Sequence, residues 1–302
     1  MGLTKYRSYV LPAALLLGVV FHRICGAAAV ASPYIIFTIL LLTFCAVDLR
    51  KLRPAWMDFW LLLFQIAFAV SCYILVINLF HNRIIAEGIL VGIICPVAAA
   101  VAVISTILGA DRQRVTTFTI IGNLAIAVAA PIIFSFVGEQ RDIPFIVSFW
   151  AILRRIGSMI ALPFFTALLL QLLLPKVNAR VAEFKGVAFY LWAIVLTISL
   201  GQTIDFIFLH GRGNLGSMLI LAACAIVICP IQFFIGRAIG RRYGDKIAGG
   251  QLLFQKNTAV GIWMANMYLH PLASVYPACY SICQNVVNSI QMWIHDRKEP
   301  EK

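Results

Sequence analysis

The chain has 302 residues, of which 62% are hydrophobic and only 12% are charged, and its mean hydropathy is +0.94. A soluble core of this size does not need so much apolar surface, so the composition indicates a protein of the lipid bilayer and excludes an ordinary soluble domain. The net charge of +12 would also suit a nucleic-acid-binding protein, but the bases stand in short stretches between apolar runs, which is typical of membrane topology, so no nucleic-acid partner is expected.

Ten apolar stretches follow one another along the chain. Most have about 17 to 25 residues, and each is long enough to cross a bilayer as a helix. We therefore predict an all-α polytopic membrane protein with ten transmembrane helices. The predicted spans cover residues 8–26, 33–49, 55–80, 84–108, 112–137, 145–174, 185–210, 214–238, 245–269 and 272–294.

The first predicted span also has features of a secretory signal peptide. Lys5 and Arg7 precede an apolar run from Val10 to Phe21, and small residues follow that run. We prefer an uncleaved first span, because the distribution of charge along the chain requires ten spans.

The basic residues divide unequally between the two sides of the predicted spans. Of the 24 lysines and arginines, 17 fall at the two termini or in the loops that follow even-numbered spans. The opposite side holds only four, which are Arg23, Arg83, Arg141 and Arg212. The remaining three lie within or along spans, and they are Arg154, Arg155 and Lys256. Because cytoplasmic loops carry the excess of bases, we expect a multi-pass protein of the cell inner membrane with both termini in the cytoplasm.

Two of the spans contain an interruption at matching places. Ten spans make two halves of five, and because five is odd, a duplicated half would lie inverted in the membrane. Cys95-Pro96 interrupts the fourth span, since proline has no N–H to continue the helix, and Gln255-Lys256 interrupts the ninth. The fifth and tenth spans each carry a central amide, Asn123 and Asn285. Paired broken helices in two inverted halves indicate the binding site of a secondary transporter, although Pro96 alone would also fit an ordinary kink.

Lys256 is the most informative of these residues, because it lies near the middle of the ninth span. A central lysine costs roughly 2.5–3.5 kcal/mol on insertion scales and is seldom found without a function or a partner. Its ammonium could reach an interface by snorkelling, but the depth makes that difficult. The end of the first half-helix offers free carbonyls as partners. The second half begins at the expected capping residues Asn257 and Thr258, and it would present N–H donors to an anion.

Other polar side chains are predicted at depth as well. Gln251 lies four residues before Gln255 and shares its helix face. Gln284 and Asn288, in the tenth span, are better explained as contacts between helices than as ligands. The eight cysteines are scattered without a CxxC pair and are interpreted as small buried residues, not as a disulfide framework or a metal site.

The chain resembles, over its whole length, the bile acid:sodium symporter family, in the form of a bacterial ten-span member with atypical sodium-site motifs. The first crossover of that family reads Cys-Pro-Gly-Gly and is followed by a Ser-Asn pair. Cys95-Pro96 matches the start of this motif, whereas Val97-Ala98 and Val101-Ala102 replace the glycines and the sodium-binding pair. The second crossover reads Glu-x-Gly-x-Gln-Asn, and in this frame the chain has Gln251, Leu253, Gln255 and Lys256.

The resemblance implies two inverted five-helix repeats whose broken fourth and ninth helices cross at mid-membrane. It also implies a panel domain made of residues 1–52 and 143–212, and a core domain made of residues 53–142 and 213–296. Family sodium ligands would correspond to Gln65, Thr119 and Gln255, which we interpret as a vestigial sodium site.

The departures from the family motifs change the charge of the site. The shared carboxylate is replaced by Gln251, two neutral ligands are lost, and Lys256 adds a cation. Sodium prefers hard and preferably anionic oxygen ligands, so such a site should reject it. We expect a secondary active transporter of an organic anion, either bile-acid-like or a small carboxylate, that works by alternating access. Transport should be independent of sodium because Lys256 occupies the region of the coupling ion.

An ion exchanger and an enzyme are the competing interpretations. A cation–proton exchanger of similar inverted architecture is the alternative, but it would require a carboxylate at the crossover. Enzymatic activity and a cofactor are not expected, because the five histidines lie near span ends and no catalytic arrangement is predicted at depth. The expected partners are the organic anion and the lipid bilayer, and the protein is expected to be a monomer or a homodimer. The predicted binding residues are Gln65, Cys95, Pro96, Thr119, Asn123, Gln251, Gln255, Lys256, Asn257, Thr258 and Asn285.

Overall fold

The computed structural model describes residues 13–14, 16–98, 101–137, 145–154, 158–210 and 213–298. Within these ranges the chain forms helices joined by short connections, and no β-strand occurs. The all-α class predicted from the composition is therefore confirmed. The beginning of the first predicted span and both chain termini lie outside the described residues.

The described residues form fourteen α-helices and four short 3₁₀ turns. The α-helices are α1 His22–Ala28, α2 Ser32–Cys45, α3 Trp56–Phe80, α4 Arg83–Ile94, α5 Val101–Ile107, α6 Arg112–Val137, α7 Phe145–Ile152, α8 Ser158–Leu173, α9 Pro175–Glu183, α10 Val187–His210, α11 Leu215–Arg242, α12 Lys246–Phe254, α13 Thr258–Tyr268 and α14 Val275–Lys298. The 3₁₀ turns are Ala29–Ala31, Leu49–Lys51, Phe184–Gly186 and Pro271–Ser274.

Three of the described helices, α3, α6 and α11, are long and apolar enough to cross a membrane. Their outward faces carry large apolar side chains, including Phe80, Phe136 and Phe234, which are each about two thirds exposed at 68%, 70% and 65%. Exposed aromatic and aliphatic surface on this scale suits lipid and not water. These helices fit the predicted membrane protein.

The ends of α3 and α4 are set by local polar contacts. The N–H of Ala55 donates to Asp58 Oδ2 over 2.8 Å at the start of α3. His81 ends this helix in the left-handed conformation, with φ of 50°. Asn82 then caps α4, because its Oδ1 accepts the N–H of Ile85 over 3.1 Å. The chain therefore reverses direction within two residues.

The predicted fourth and ninth spans are each built from two helices. The fourth comprises α4, which ends at Ile94, and α5, which begins at Val101. The ninth comprises α12, which ends at Phe254, and α13, which begins at Thr258. The interruptions predicted at Cys95-Pro96 and Gln255-Lys256 are thus present.

One connection predicted from the sequence is a helix in the structure. Residues 175–183 were predicted to join the sixth and seventh spans, but they form α9. Pro175 stands at its first position, where a proline is well tolerated because that N–H has no partner within the helix. Its composition is polar, with Lys176 and Arg180 exposed, so it does not stand out in the sequence as an apolar run.

Close packing of glycines joins α11 to α12. A Cβ atom on Gly236 would lie 2.3 Å from the carbonyl oxygen of Gly249, and one on Gly249 would lie equally close to the carbonyl of Gly236. Two helix backbones can approach this closely only where side chains are absent. This contact fixes α12, the helix that leads into Lys256.

The helices assigned to the panel domain also contact one another. Helix α10 packs against α1 and α2, and α2 packs against α8. His22 Nδ1 lies 2.9 Å from Asp205 Oδ1 across the contact between α1 and α10. Helix α10 also contacts α13, which was assigned to the core domain. The assignment of residues to panel and core domains stays a prediction.

Candidate functional site at the two helix interruptions

The two interruptions lie directly against each other. Val97 and Lys256 form an isolated antiparallel bridge. The N–H of Ala98 donates to the carbonyl of Gln255 over 3.1 Å, and the N–H of Asn257 donates to the carbonyl of Pro96 over 2.7 Å. Each break thus satisfies backbone groups of the other, which would cost several kcal/mol if left unpaired in an apolar environment.

A side-chain amide completes the pairing of the first interruption. The N–H of Val97 donates to Asn123 Oδ1 over 2.8 Å, and Asn123 Nδ2 donates to the carbonyl of Val97 over 3.4 Å. An amide suits this task because it offers one acceptor and two donors. Asn123, predicted from the sequence, therefore lies at the interruption.

Gln284 does the same for the second interruption. The N–H of Lys256 donates to Gln284 Oε1 over 2.8 Å, and Gln284 Nε2 donates to the carbonyl of Lys256 over 3.1 Å. Asn285 was the predicted counterpart of Asn123, but its Nδ2 donates to the carbonyl of Ser281 in its own helix over 2.6 Å. Adjacent residues of a helix point about 100° apart, and the pattern of polar residues did not distinguish these two.

Lys256 is fully buried, with 0% of its surface exposed. Its Nζ atom has no hydrogen-bond partner among the described residues, and the ion pairs found among them do not include it. Snorkelling therefore does not explain this lysine. Buried ammonium groups are normally paired with an opposite charge, and among the described residues Lys256 has no carboxylate to pair with.

The carbonyls expected to partner Lys256 are used elsewhere. The hydroxyl of Tyr280 donates to the carbonyl of Phe254 over 2.9 Å. The carbonyl of Gln255 accepts from Ala98, and that of Lys256 accepts from Gln284. The carbonyls of Phe254, Gln255 and Lys256 therefore already have donors other than the ammonium.

The second half-helix begins beside this lysine. Asn257 caps it as predicted, since its Oδ1 accepts the N–H of Val260 over 3.4 Å. Thr258 is the first residue of α13 and not its cap. Its Oγ1 is buried and has no partner among the described residues. Two buried donors, Lys256 Nζ and Thr258 Oγ1, thus occur two residues apart at a helix N-terminus, where the backbone N–H groups also favour an anion.

Four further amides form a set that we call the amide ladder, defined as Gln251, Gln255, Asn288 and Gln291. Gln255 Nε2 donates to Gln251 Oε1 and to Asn288 Oδ1 over 3.2 Å. Gln251 Nε2 donates to Gln291 Oε1, also over 3.2 Å. The ladder connects α12 to α14 and begins next to Lys256.

The residues assigned to a vestigial sodium site make separate contacts. Gln65 Nε2 donates to the carbonyl of Cys95 over 3.0 Å, and its Oε1 has no partner among the described residues. Thr119 Oγ1 donates to the carbonyl of Val115 in its own helix over 2.8 Å. Gln255 belongs to the amide ladder. The recorded hydrogen bonds do not join these three residues to one another.

Cys95 and Pro96 shape the first interruption more than they offer ligands. Cys95 is fully buried, and a Cβ atom on Gly261 would lie 2.2 Å from its Sγ. Gly261 therefore allows α13 to approach the interruption. The carbonyl of Pro96 is accessible to Asn257 because the proline has ended the preceding helix.

Acidic side chains tie the far ends of the two broken helices together. Glu87, near the start of α4, is fully buried. Its carboxylate accepts from Arg83 Nε and from the N–H of His270, which follows α13, over 2.7 Å. At the opposite end Asp245 caps α12 and accepts the N–H of Asp111, which follows α5, over 3.1 Å. Each first half-helix is thus linked to the end of the other helix's second half.

Within the described ranges, no group of three or more histidine, cysteine, aspartate or glutamate side chains is placed to hold a metal ion. The interruptions instead bring together amides, hydroxyls and one ammonium group, a set of donors suited to an anionic, oxygen-rich ligand.

Comparison of the chain with protein-family models gives no match, and comparison with curated proteins gives none either.

Proposed function

We propose that the chain is a secondary active transporter of an organic anion, either bile-acid-like or a small carboxylate, and that it works by alternating access. The observation that carries this proposal is the buried Lys256 ammonium, which has no counter-charge among the described residues and lies where two broken helices meet. An anionic ligand would supply the missing charge.

The lengths of the half-helices support a site at mid-membrane. Helices α12 and α13 have 9 and 11 residues, and α4 and α5 have 12 and 7. At about 1.5 Å per residue, each pair covers about 30 Å, which is the thickness of the hydrocarbon core. On this proposal the interruptions lie near the centre of the bilayer, as in other carriers with discontinuous helices.

The matching contacts of the two halves support an inverted repeat. Asn123 pairs with Val97 as Gln284 pairs with Lys256. The links made by Glu87 and Asp245 are related in the same way. On this basis we propose ten spans in two inverted sets of five, of the bile acid:sodium symporter kind, with the panel and core domains as predicted.

The donors at the start of α13 support an anion. Lys256 Nζ and Thr258 Oγ1 are buried without recorded partners, and the N-terminus of an 11-residue helix lies beside them. A carboxylate or sulfonate could accept from both side chains and interact with the helix dipole. A cation–proton exchanger is less well supported, because the residues of the two interruptions include no carboxylate.

The Lys256 ammonium also supports transport that is independent of sodium. A sodium ion next to the Lys256 ammonium would be repelled, and that repulsion is strong where water is excluded. Energy would then come from the substrate gradient or from protons. We place the transporter in the cell inner membrane with both termini in the cytoplasm, as a monomer or a homodimer.

Ligand-dependent stabilisation of the purified protein tests this proposal. A panel of carboxylates, sulfonates, neutral amides and quaternary ammonium compounds is compared by thermal unfolding in detergent, with Lys256→Met and Lys256→Arg beside the unmodified chain. At a ligand concentration of 100 times Kd, stabilisation by about 2.7 kcal/mol is expected. Only anions should stabilise, Lys256→Met should lose the effect, and Lys256→Arg should retain part of it. If a neutral or cationic compound stabilises the protein best, and does so equally in Lys256→Met, the proposal is contradicted.

A further inference from the structure

Ser281 on α14 is a buried polar residue that takes no part, through its side chain, in the contacts of the two interruptions. Its side chain is fully buried, with 0% exposed, and its Oγ atom has no hydrogen-bond partner in the part of the chain that the structure describes. A serine within a helix can donate to the carbonyl four residues earlier. Ser289 does so on the same helix, donating to the carbonyl of Asn285 over 2.9 Å. The Ser281 hydroxyl does not, so it remains available to a ligand.

The position of Ser281 follows from two contacts of α14, one on either side of it. Pro277 lies against α13, because a Cβ atom on Gly261 would be 3.2 Å from Pro277 Cβ. Gln284 bonds the backbone of Lys256. Residues 277, 281 and 284 fall on one stripe of the helix, since residues four and seven apart share a face. Ser281 therefore faces the segment from Lys256 to Gly261, where α13 begins.

The Lys256 ammonium is directed towards the same segment. Its charge acts on the Cys95 thiol, and Cys95 Sγ lies against α13, 2.2 Å from where a Cβ atom on Gly261 would stand. Val97 pairs with Lys256. In extended chain, side chains two residues apart lie on the same side, so Cys95 and Lys256 share a side of this pairing. Thr258 begins α13 at this point.

Three buried donors thus lie around the start of α13, and none of them bonds another. Lys256 Nζ, Thr258 Oγ1 and Ser281 Oγ each lack a hydrogen-bond partner within the described ranges, and their residues are at most 1% exposed. A neutral carbonyl oxygen has two lone pairs, whereas a carboxylate has about four acceptor positions. Three donors, one of them charged, therefore match a carboxylate better than a neutral group.

Building on the proposed function, on which this inference rests, we propose that Ser281 is a third side-chain ligand of the substrate's carboxylate, beside Lys256 and Thr258. Helix α14 would then serve the site in two ways. Gln284 fixes the backbone of Lys256, and Ser281 contacts the ligand itself. A neutral amide of the same size would leave the ammonium without a counter-charge, so the site should reject it.

Acetate and acetamide test this site, because they have nearly the same size and shape and differ in charge. Thermal unfolding of the purified chain is followed in detergent while potassium chloride is replaced stepwise by potassium acetate at constant ionic strength. The acetate concentration that gives half of the maximal rise in melting temperature measures the affinity. Acetate should raise the melting temperature, acetamide should not, and Lys256→Met should lose the response.

Substitutions of Ser281 assign a share of this binding to its hydroxyl. Ser281→Ala should raise the half-maximal acetate concentration by at least about tenfold, because a hydrogen bond to a charged group is lost. Ser281→Cys, with a weaker donor, should give a smaller increase. Ser289→Ala is the matched control, because Ser289 lies on the exposed face of the same helix and bonds only the carbonyl of Asn285. It should respond like the unmodified chain.

The melting temperature without ligand separates binding from folding. Removing a buried hydroxyl that has no partner breaks no hydrogen bond within the protein. The melting temperature of ligand-free Ser281→Ala should therefore equal or exceed that of the unmodified chain. A lower melting temperature would show that the hydroxyl holds the fold together, and it would overturn the inference.

The outcomes also distinguish this inference from the proposed function. If acetate stabilises Ser281→Ala at the same concentrations as the unmodified chain, but not Lys256→Met, the inference fails while anion binding at Lys256 stands. If acetamide stabilises as well as acetate and Lys256→Met keeps both responses, the proposed function fails. If acetate does not stabilise the unmodified chain, the carboxylate site is contradicted and the inference with it.

Discussion

Gln284 holds the backbone of Lys256 through both ends of its amide, accepting the N–H over 2.8 Å and donating to the carbonyl over 3.1 Å. Asn123 holds Val97 in the same way across the bridge between the two interruptions. The lysine therefore has a fixed backbone, while its Nζ has no recorded partner. A rigid backbone with an unpaired ammonium is the arrangement expected of a binding group that is positioned before its ligand arrives.

Removing the amide of Gln284 should destabilise the protein and weaken anion binding together. Gln284→Leu leaves the buried N–H of Lys256 without its partner, at a cost of about 1–3 kcal/mol, while the carbonyl of Lys256 still accepts from the N–H of Thr258. Thermal unfolding in detergent measures the loss of stability, and calorimetry with a carboxylate ligand measures the loss of affinity. Asn285→Leu is the matched control, because the neighbouring amide bonds only its own helix. Greater damage from Asn285→Leu would show that the two residues are assigned the wrong way round.

A methyl group at Gly236 should disrupt the packing of α11 against α12. The new Cβ would lie 2.3 Å from the carbonyl of Gly249 and 2.9 Å from Leu253 Cβ. Backbone cannot move aside easily, so Gly236→Ala should destabilise by about 1–3 kcal/mol or more. Gly216→Ala, in the same helix, meets no atom within 4 Å and should be neutral or stabilising by up to about 1 kcal/mol, because alanine favours helix over glycine. Equal melting temperatures for both variants would refute the close contact.

The buried carboxylate of Glu87 should be essential for the link between α4 and the segment after α13. Glu87→Leu removes the carboxylate that accepts from Arg83 and from the N–H of His270, and loss of hydrogen bonds to a charged group costs about 1.5–3 kcal/mol. The exposed pair of Asp48 and Lys51, at 3.2 Å, is the comparison. Asp48→Ala should cost less than about 1 kcal/mol, since surface pairs contribute little. Similar losses of stability in the two variants would mean that Glu87 is not buried as described.

Much of this site follows from the sequence because breaks in apolar helices are visible there. Pro96 and the polar residues from Gln255 to Thr258 are recognisable in the sequence as breaks in an apolar helix. Both interruptions lie where they were predicted. Asn123 was predicted because it is an amide at the centre of an otherwise apolar span. The sequence favoured Asn285 over Gln284 because the choice depends on the rotation of α14 about its axis, which is set by packing against α11 and not by local sequence.

Other features depend on contacts between distant segments. The burial of Glu87 results from the approach of His270, 183 residues further along the chain, and the residues next to Glu87 in the sequence do not show it. The carbonyls of Phe254 and Gln255, which were expected to bind the Lys256 ammonium, accept hydrogen bonds from Tyr280 and Ala98 instead. Hydrogen-bond competition of this kind has no signature in a single sequence.

The orientation of the chain is tested by reporter fusions. The division of bases, 17 against four, predicts that both termini lie in the cytoplasm, because the side richer in lysine and arginine stays inside. Fusions after Lys302 and at Gly109 should report the cytoplasm, and a fusion at Arg212 should report the outside. A C-terminal fusion that reports the outside would overturn the ten-span topology.

Transport should not require sodium. Gln251 places a neutral amide where a carboxylate would attract the cation, and its Oε1 already accepts from Gln255. The Lys256 ammonium adds a repulsion that outweighs neutral dipoles in a site without water. Uptake into proteoliposomes, or stabilisation by an anionic ligand, should therefore be equal in matched sodium, potassium and choline buffers.

The reverse substitutions should create a sodium requirement. Gln251→Glu with Lys256→Asn restores a carboxylate and removes the cation, and Val101→Ser with Ala102→Asn adds two oxygen ligands of the kind that sodium prefers. Ligand binding by this fourfold variant should rise with sodium concentration and fall in potassium. The partial variant Val101→Ser with Ala102→Asn keeps Lys256 and is the control, which should remain indifferent to the cation. A clear dependence on sodium in the unmodified chain would refute the role given to Lys256, because an ammonium in the place of the coupling ion leaves no reason for sodium to bind.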